Sequence, residues 1–126
     1  MTLEPRHYLR VEGMVFAGVA LVAYFTFDGP LWMLLLLALA PDLSMLGYFM
    51  GPRVGSTIYN TVHTYALPLV MGVASTVTDT RLVLLVALVW VGHIGADRAL
   101  GYGLKYESGF KDTHLSSQPA PVSFLR

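Results

Sequence analysis

Four apolar stretches are the feature that most limits how this chain can fold. They cover residues 9–27, 31–50, 56–77 and 82–104. Each is close to the ~20 residues that an α-helix needs to cross ~30 Å of hydrocarbon. Within 126 residues they leave almost no polar sequence from which a soluble domain could be built. The sequence therefore predicts an all-α membrane protein with four transmembrane helices.

The composition supports this class and removes others. Charged residues make up 13% of the chain, against roughly 25% in soluble domains. The formal net charge is zero and no basic run is long, which argues against a nucleic-acid partner. The chain has no cysteine, so disulfides and thiolate metal sites are excluded. Any metal site must use histidine, carboxylate, amide, backbone or water ligands.

The connections between the apolar stretches are short and contain glycine and proline, as at 28–30 and 51–55. Short connections make consecutive helices antiparallel neighbours, which predicts an up-down four-helix bundle over residues 1–115. Residues 116–126 are predicted to form a flexible cytoplasmic tail. Of the eight Lys and Arg residues, only Arg81 falls on the side of the membrane opposite to the termini. The positive-inside rule then predicts a multi-pass protein of the cell membrane with both termini in the cytoplasm.

Strongly polar side chains interrupt the predicted helices, and such side chains usually mark a functional site. In the up-down arrangement they all fall in the half of the membrane next to the cytoplasm. They are Glu12, Asp42, Asn60, His63, His93, Asp97 and Arg98. His93 and Asp97 are four residues apart and therefore share a helix face. This shared depth predicts one polar site built from several helices.

Imidazole and carboxylate groups together suit a divalent metal ion such as zinc, iron or manganese. The predicted ligands are Asp42, His63, His93 and Asp97, with Glu12 as a catalytic ligand or general base. Asn60, Arg98 and His114 are predicted to contact the substrate or to support the ligands. The corresponding function is metal-dependent hydrolysis of a lipid or another membrane-associated substrate.

A non-enzymatic alternative uses the same residues. Polar groups also join helices by hydrogen bonds in membranes, and the chain would then be an accessory subunit that binds a partner. A proton or ion pathway is less consistent with the sequence, because the polar residues stop before the outer leaflet. Glycine on several helix faces would suit a homodimer. The segment 101–115 alternates glycine with aromatic residues and lysine, which predicts a segment on the membrane surface. It either anchors the chain at the lipid headgroups through Lys and Tyr or folds over the mouth of the site.

Several motifs give the chain a family resemblance. They are PDLSMLGY at 41–48, GPRVG at 51–55, YNxxH at 59–63, HIGxDR at 93–98, GYGLKY at 101–106 and FKxTHL at 110–115. Over about residues 9–115 the chain resembles the small bacterial membrane family catalogued as domain of unknown function 4260. The resemblance implies a multi-pass helical fold and no particular activity. An aspartate after proline on one helix and His-x-x-x-Asp on another is also similar, at the level of fold, to membrane-bound metal-dependent hydrolases.

Overall fold

The computed structural model describes residues 3–107 and 109–115, and these form a mostly helical chain that ends in a short hairpin. The helices are α1 (Pro5–Thr26), α2 (Leu31–Leu37), a 3-10 helix (Ala40–Met50), α3 (Pro52–Val62), α4 (Ala66–Thr78) and α5 (Arg81–Leu100). The antiparallel strands are β1 (Lys105–Tyr106) and β2 (Gly109–Thr113). The predicted tail at 116–126 lies outside the described residues.

Among the described residues, three segments, rather than the predicted four, are long and apolar enough to cross a membrane. They are Pro5–Thr26, Leu31–Met50 and Arg81–Leu100. The prediction of one continuous helix at 56–77 is wrong, because α3 ends at Val62 and α4 begins only at Ala66. With 11 and 13 residues, neither α3 nor α4 alone reaches the ~20 residues that a crossing needs.

Pro68 gives a local reason for this break. Proline has no backbone N–H for the carbonyl four residues earlier and is tolerated in the first turn of a helix, which is where Pro68 lies in α4. Two side chains of α5 then bind carbonyls exposed at the break. Trp90 Nε1 donates to the Val62 carbonyl at 2.7 Å, and Arg98 donates to the His63 carbonyl at 3.2 Å. Donors of this kind allow irregular backbone at membrane depth.

The second predicted helix, at 31–50, changes its geometry near Pro41, as expected from a proline in a helix interior. The α-helix ends at Leu37, and the chain resumes as a 3-10 helix at Ala40. This change leaves the Ala38 carbonyl available to a side chain of α5 and places Asp42 in the first turn of the 3-10 helix.

The longest helix contact is between α1 and α5, which run antiparallel. Near one end Arg10 Nε donates to the Ala99 carbonyl at 3.0 Å, and near the other Arg81 Nε donates to the Phe27 carbonyl at 3.0 Å. Between them the backbones meet at two glycines. A Cβ atom on Gly95 would lie 2.6 Å from the Gly13 carbonyl oxygen, so only glycine permits this approach. A buried cluster lies nearer the α1–α2 turn and consists of Tyr24, Met33, Leu85 and Val89.

Helix α5 ends at Leu100, so the prediction that it continues to residue 104 is wrong. Gly101 has a φ of 94°, in the left-handed region that favours glycine and ends helices. The N–H of Tyr102 then donates to the Asp97 carbonyl at 2.8 Å and that of Gly101 to the Arg98 carbonyl at 3.1 Å. These two bonds cap the helix, and the chain that follows turns back as the β1–β2 hairpin, which the sequence did not predict.

Candidate metal centre

Asp42, His63, His93 and Asp97, the four predicted metal ligands, come together in the structure. One nitrogen or oxygen atom of each lies within 4.8 Å of the corresponding atoms of the other three. We call these four residues the His/Asp cluster. Their shared depth in the predicted bundle was therefore a sound guide to their position in space.

Each side chain of the His/Asp cluster reaches the site from a helix terminus or from one face of α5. Asp42 lies in the first turn of the 3-10 helix, and His63 is the first residue beyond α3. His93 and Asp97 lie one turn apart on α5. Asp42 and His63, two of the four cluster residues, therefore lie at breaks in helical geometry, the first near Pro41 and the second at the end of α3.

Backbone carbonyls determine which ring nitrogen of each histidine carries a proton. His63 Nδ1 lies 2.9 Å from the Tyr59 carbonyl oxygen, and His93 Nδ1 lies 2.5 Å from that of Ala38. Because a carbonyl only accepts hydrogen bonds, both Nδ1 atoms must be the donors. In the neutral rings both Nε2 atoms are then unprotonated. A hydrogen bond from the second ring nitrogen is the usual support of a metal-binding histidine.

The distances from each histidine Nε2 to the other ligand atoms match those of adjacent ligands around one small cation. The two Nε2 atoms are 3.3 Å apart, and His93 Nε2 lies 3.1 Å from both Asp42 Oδ1 and Asp97 Oδ2. His63 Nε2 lies 3.2 Å and 3.5 Å from the same two oxygens. Tetrahedral zinc with bonds of ~2.0 Å would separate its ligand atoms by about 3.3 Å. Adjacent ligands around an octahedral ion with bonds of ~2.1 Å are about 3.0 Å apart.

The two kinds of ligand differ in exposure. The histidine side chains are only 4% and 6% exposed, whereas those of Asp42 and Asp97 are 29% and 19% exposed. The ring of Tyr59 covers one face of the His63 ring, with centroids 3.8 Å apart and planes 8° from parallel. The histidines are thus enclosed by protein, and the approach to the cluster is past the carboxylates.

Asn60 and His114, which were predicted to contact the substrate or support the ligands, hold the hairpin. Asn60 Nδ2 donates to the Lys105 carbonyl at 2.7 Å, and Asn60 Oδ1 accepts from the Lys105 N–H. His114 Nδ1 accepts from the Leu104 N–H at 2.8 Å. Asn60 therefore ties β1 to α3 three residues before His63, next to the cluster.

Arg98 and Glu12 do not belong to the His/Asp cluster. Arg98 binds the His63 carbonyl, and its guanidinium lies 5.4 Å from the centre of the Tyr65 ring. It therefore supports the backbone at the α3–α4 break. Glu12 has an exposed position on α1 and is not among the four grouped residues. Its role as ligand or general base remains a prediction.

Two cavities meet at the carboxylates of Asp42 and Asp97. The first, the apolar groove, has a volume of about 420 Å³ and runs between α1, α2 and α5; beyond the cluster its lining includes Ala20, Leu34 and Ala96. The second, the polar pocket, has a volume of about 360 Å³ and is lined by Asp42, Met45, Tyr59, Asp97, Tyr102 and Lys105. A molecule could therefore reach the cluster from an apolar side and from a polar side.

Lys105 is a residue of the site that the sequence analysis missed. It is 6% exposed, and its Nζ lies 4.9 Å from the centre of the Tyr59 ring. Burial lowers the pKa of Lys105, and the nearby Asp97 and Asp42 act in the opposite direction. The glycines, aromatic residues and lysines of this segment predicted a position at the membrane surface, but they do not show that the chain folds back onto α3.

Within the described residues, three apolar helical segments long enough to cross a bilayer and a partly buried His/Asp cluster define the class: a small helical membrane protein with a group of residues that could bind a metal. The family model described as Domain of unknown function (DUF4260) matches residues 6–117, and the chain belongs to that family. No curated protein and no solved structure matches the chain.

Proposed function

We propose that this protein binds a divalent metal ion through Asp42, His63, His93 and Asp97 and hydrolyses a membrane-associated substrate at that ion. Zinc, iron and manganese are the candidate ions, because imidazole and carboxylate ligands suit all three. The site belongs to a multi-pass membrane protein whose termini both lie in the cytoplasm.

One observation carries this proposal: four electron-pair donors converge, and two of them have a fixed orientation. The carbonyls of Ala38 and Tyr59 hold the Nδ1 atoms of the histidines, so both Nε2 lone pairs point to the same place. Two carboxylate oxygens point there as well. Unprotonated nitrogens and carboxylates repel one another at 3.1–3.5 Å, and a divalent cation between them would remove that repulsion.

The exposure of the carboxylates supports an enzymatic role over a closed structural site. A bound divalent cation lowers the pKa of a coordinated water toward neutrality and polarises a carbonyl or phosphoryl oxygen. Asp42 and Asp97 face both cavities, so water and substrate have room beside them. In hydrolysis the water oxygen bonds to the acyl carbon or phosphorus, and the ester bond breaks. One water proton passes through a carboxylate to the leaving oxygen.

A hydrolysis assay tests the proposal. The protein is purified in mild detergent, stripped with a chelator and reloaded with zinc, iron or manganese before release of product from mixed lipid micelles is measured. We expect activity only with metal, and we expect Asp97→Asn to abolish it. Asp79→Asn is the matched control, because Asp79 is an exposed carboxylate at the end of α4. Metal-independent activity, or equal activity in the two variants, would contradict the proposal.

Glu12→Gln tests the predicted general base separately. If Glu12 acts as a base, the variant loses hydrolysis and keeps its metal. Unchanged hydrolysis in this variant would remove Glu12 from the site.

The structural alternative uses the same short distances. Protons in place of a metal would turn the cluster into histidinium–aspartate pairs that join α3, α5 and the 3-10 helix. In that case the protein would be an accessory subunit, its cluster a source of stability. The structural alternative predicts that Asp97→Asn lowers thermal stability, and that neither the wild type nor this variant binds a metal.

A further inference from the structure

We infer that the substrate of this site is an acyl ester, with its hydrocarbon chain in the apolar groove and its ester carbon at the His/Asp cluster. This inference rests on the proposed function. It adds the kind of bond that is broken and the position of the chain, neither of which the four ligands define.

The apolar groove lies within the membrane-crossing part of the structure. All residues that line it belong to the three segments long enough to cross a bilayer. Leu21 on α1 and Leu39 before the 3-10 helix are among these residues, and their side chains are exposed. On a segment that crosses a bilayer, exposed apolar side chains face the hydrocarbon of the lipids. A hydrocarbon chain can therefore enter the groove from the bilayer without passing through water.

The groove extends from the His/Asp cluster toward the buried cluster near the α1–α2 turn. Asp42, His93 and Asp97 line it on the first side, and Tyr24 and Leu88 line it on the second. From Asp97 to Leu88 on α5, it follows about 14 Å of helix. Its volume of about 420 Å³ lies in the usual range for small-molecule sites. This length and this volume suit one extended hydrocarbon chain.

The apolar lining continues up to the His/Asp cluster, and this indicates which bond is broken. Gly92 and Ala96 line the groove and directly precede the two cluster residues of α5. Among the described residues, the only polar side chains of the lining are those of the cluster and of Tyr24, whose hydroxyl donates to the Pro30 carbonyl at 2.6 Å. A polar linker between the chain and the reacting bond would therefore lose its hydrogen bonds to water here, which is unfavourable.

This condition separates acyl esters from the phosphoesters of glycerolipids. In a phosphoester of that kind, the glycerol unit lies between the phosphorus and the hydrocarbon chains. In an acyl ester, the reacting carbon is joined directly to the chain. A chain that fills the groove up to Gly92 and Ala96 then places the ester carbon beside the cluster with no polar linker in the groove.

Hydrolysis at this position yields one apolar and one polar product. The water oxygen bonds to the acyl carbon, and the bond from that carbon to the alkoxy oxygen breaks. One water proton passes through Asp42 or Asp97 to the alkoxy oxygen, which leaves as an alcohol. The second water proton stays on the fatty acid until the acid ionises. Because both carboxylates also line the polar pocket, the alcohol has a route out that is separate from the groove.

Photolabelling with a metal-binding acyl analogue tests this inference. Decanohydroxamate carries its metal-binding head on the acyl carbon, and two forms of it are used, with a diazirine next to the head or at the end of the chain. Metal-loaded protein in non-ionic detergent is irradiated with each form, and labelled residues are located by mass spectrometry. We expect the first form to label the groove near Ala96 and the second to label it near Leu34 and Leu88. Excess decanohydroxamate without a diazirine should remove both signals.

Two substitutions measure the contribution of the chain, each with a matched control. Ala96→Trp fills the groove from an exposed position on α5, and Ala74→Trp is at an exposed position on α4. Gly92→Ala adds a Cβ atom in the groove with its nearest contact at 3.8 Å. Gly72→Ala adds one on α4, outside the groove, with its nearest contact at 3.9 Å. Neither glycine substitution therefore causes a clash.

The affinities of decanohydroxamate and acetohydroxamate are measured by titration calorimetry in detergent. We expect Ala96→Trp to weaken decanohydroxamate about tenfold and Gly92→Ala to weaken it about fourfold, because the added methyl group displaces about one methylene group. Acetohydroxamate, which has no long chain, should bind within about twofold of the wild type in both variants. Each ligand is compared between variant and wild type, so its partition into detergent cancels.

The metal content of each protein distinguishes the two proposals. None of the substituted residues is a proposed ligand, so all variants should keep the metal of the wild type. Metal-loaded wild type whose groove is not labelled would overturn the inference alone. Unchanged decanohydroxamate affinity in both groove variants, or equal weakening of the two hydroxamates, would also overturn it, because the chain would then contribute nothing in the groove. Wild type that binds no metal would overturn the proposed function.

Discussion

At the scale of single residues, the metal affinity of the His/Asp cluster depends on the side chains and carbonyls around it as well as on its four ligands. The carbonyls of Ala38 and Tyr59 select the histidine tautomer, and the Tyr59 ring limits how the His63 ring can tilt. Supporting groups of this kind typically change metal affinity by about 10–100-fold when they are removed. Of these supporting groups, the two carbonyls belong to the backbone, whereas the Tyr59 ring can be changed by mutation without altering a ligand.

Substitution of Tyr59 tests this support. We expect Tyr59→Leu to weaken metal binding about tenfold or more, because the flat ring that stacks on His63 is lost. Tyr59→Phe keeps the ring and should bind metal within about twofold of the wild type. Both affinities can be measured by competition with a chromogenic chelator in detergent. Equal weakening in the two variants would mean that the stacked ring does not orient His63.

At the scale of helices and strands, two close contacts position the cluster. The glycine contact between α1 and α5 holds the helix that carries His93 and Asp97, and the hairpin holds the end of α3 through Asn60. Each contact leads to its own prediction.

Gly95→Ala should destabilise the protein, and Gly18→Ala should not. A Cβ atom at Gly95 would lie 2.7 Å from the backbone nitrogen of Ala17 and 2.6 Å from the Gly13 carbonyl oxygen, whereas one at Gly18 meets nothing within 4 Å. Overpacking of this kind costs about 1–3 kcal/mol. Thermal unfolding in detergent should show a lower midpoint for Gly95→Ala alone. A midpoint equal to that of the wild type would contradict the close helix contact.

The docking of the hairpin should depend on pH through His114. Burial lowers the pKa of His114 below its ordinary value of 6.5, and the positive charge of Arg98 acts in the same direction. The neutral ring accepts the Leu104 N–H, and protonation of Nδ1 removes that acceptor. The contribution of His114 to docking is therefore complete above about pH 6.5 and is lost as the pH falls through the lowered pKa.

Hydrogen exchange of the Leu104 and Lys105 amides, corrected for intrinsic rates, measures this dependence. Protection should be constant from about pH 8 to 6.5 and should fall below that range. In His114→Asn, the amide oxygen can replace Nδ1 as an acceptor and does not titrate, so the fall should be smaller. The same fall in both proteins would exclude His114 as its cause.

Much of this arrangement was predictable from the spacing of residues, and the rest depended on contacts between distant segments. The spacing of His93 and Asp97 places them on one helix face. The positions of Asp42 and His63 along their predicted helices place both at the same membrane depth as that pair. The break at His63 had a local signal in Pro68. Its position, however, also depends on donors from Trp90 and Arg98 in a different helix. The hairpin was not predictable, because Lys105 is held by Asn60, 45 residues earlier in the chain.

At the scale of the whole molecule, the contacts divide the chain into two ends. Residues 27–28 and Arg81 meet at one end, and Arg10 and Ala99 meet near the other. The hairpin lies beyond the α5 terminus that is close to Arg10. If α1 and α5 both cross the bilayer, their antiparallel packing puts the N-terminus and the hairpin on the same side. The broken pair α3–α4 must then carry the chain across the bilayer, and the shared side is the predicted cytoplasmic side.

Cysteine labelling in whole cells tests this topology, and the natural chain has no cysteine that would interfere. Glu4→Cys and Glu107→Cys should both be protected from a membrane-impermeant maleimide until the membrane is permeabilised. Asp79→Cys should react without permeabilisation, because the turn before α5 lies at the opposite end. Labelling of Glu4→Cys and Glu107→Cys from opposite sides would contradict the antiparallel packing of α1 and α5 across the bilayer.

The metal content of the purified protein shows whether the His/Asp cluster is a metal centre. Elemental mass spectrometry is applied to the wild type, to Asp97→Asn and to the control Asp79→Asn after purification in mild detergent. We expect close to one zinc, iron or manganese ion per chain in the wild type and the control, and a loss of most of it in Asp97→Asn. A wild-type protein that carries no such ion and takes up none on titration would contradict the claim that the His/Asp cluster is a metal centre.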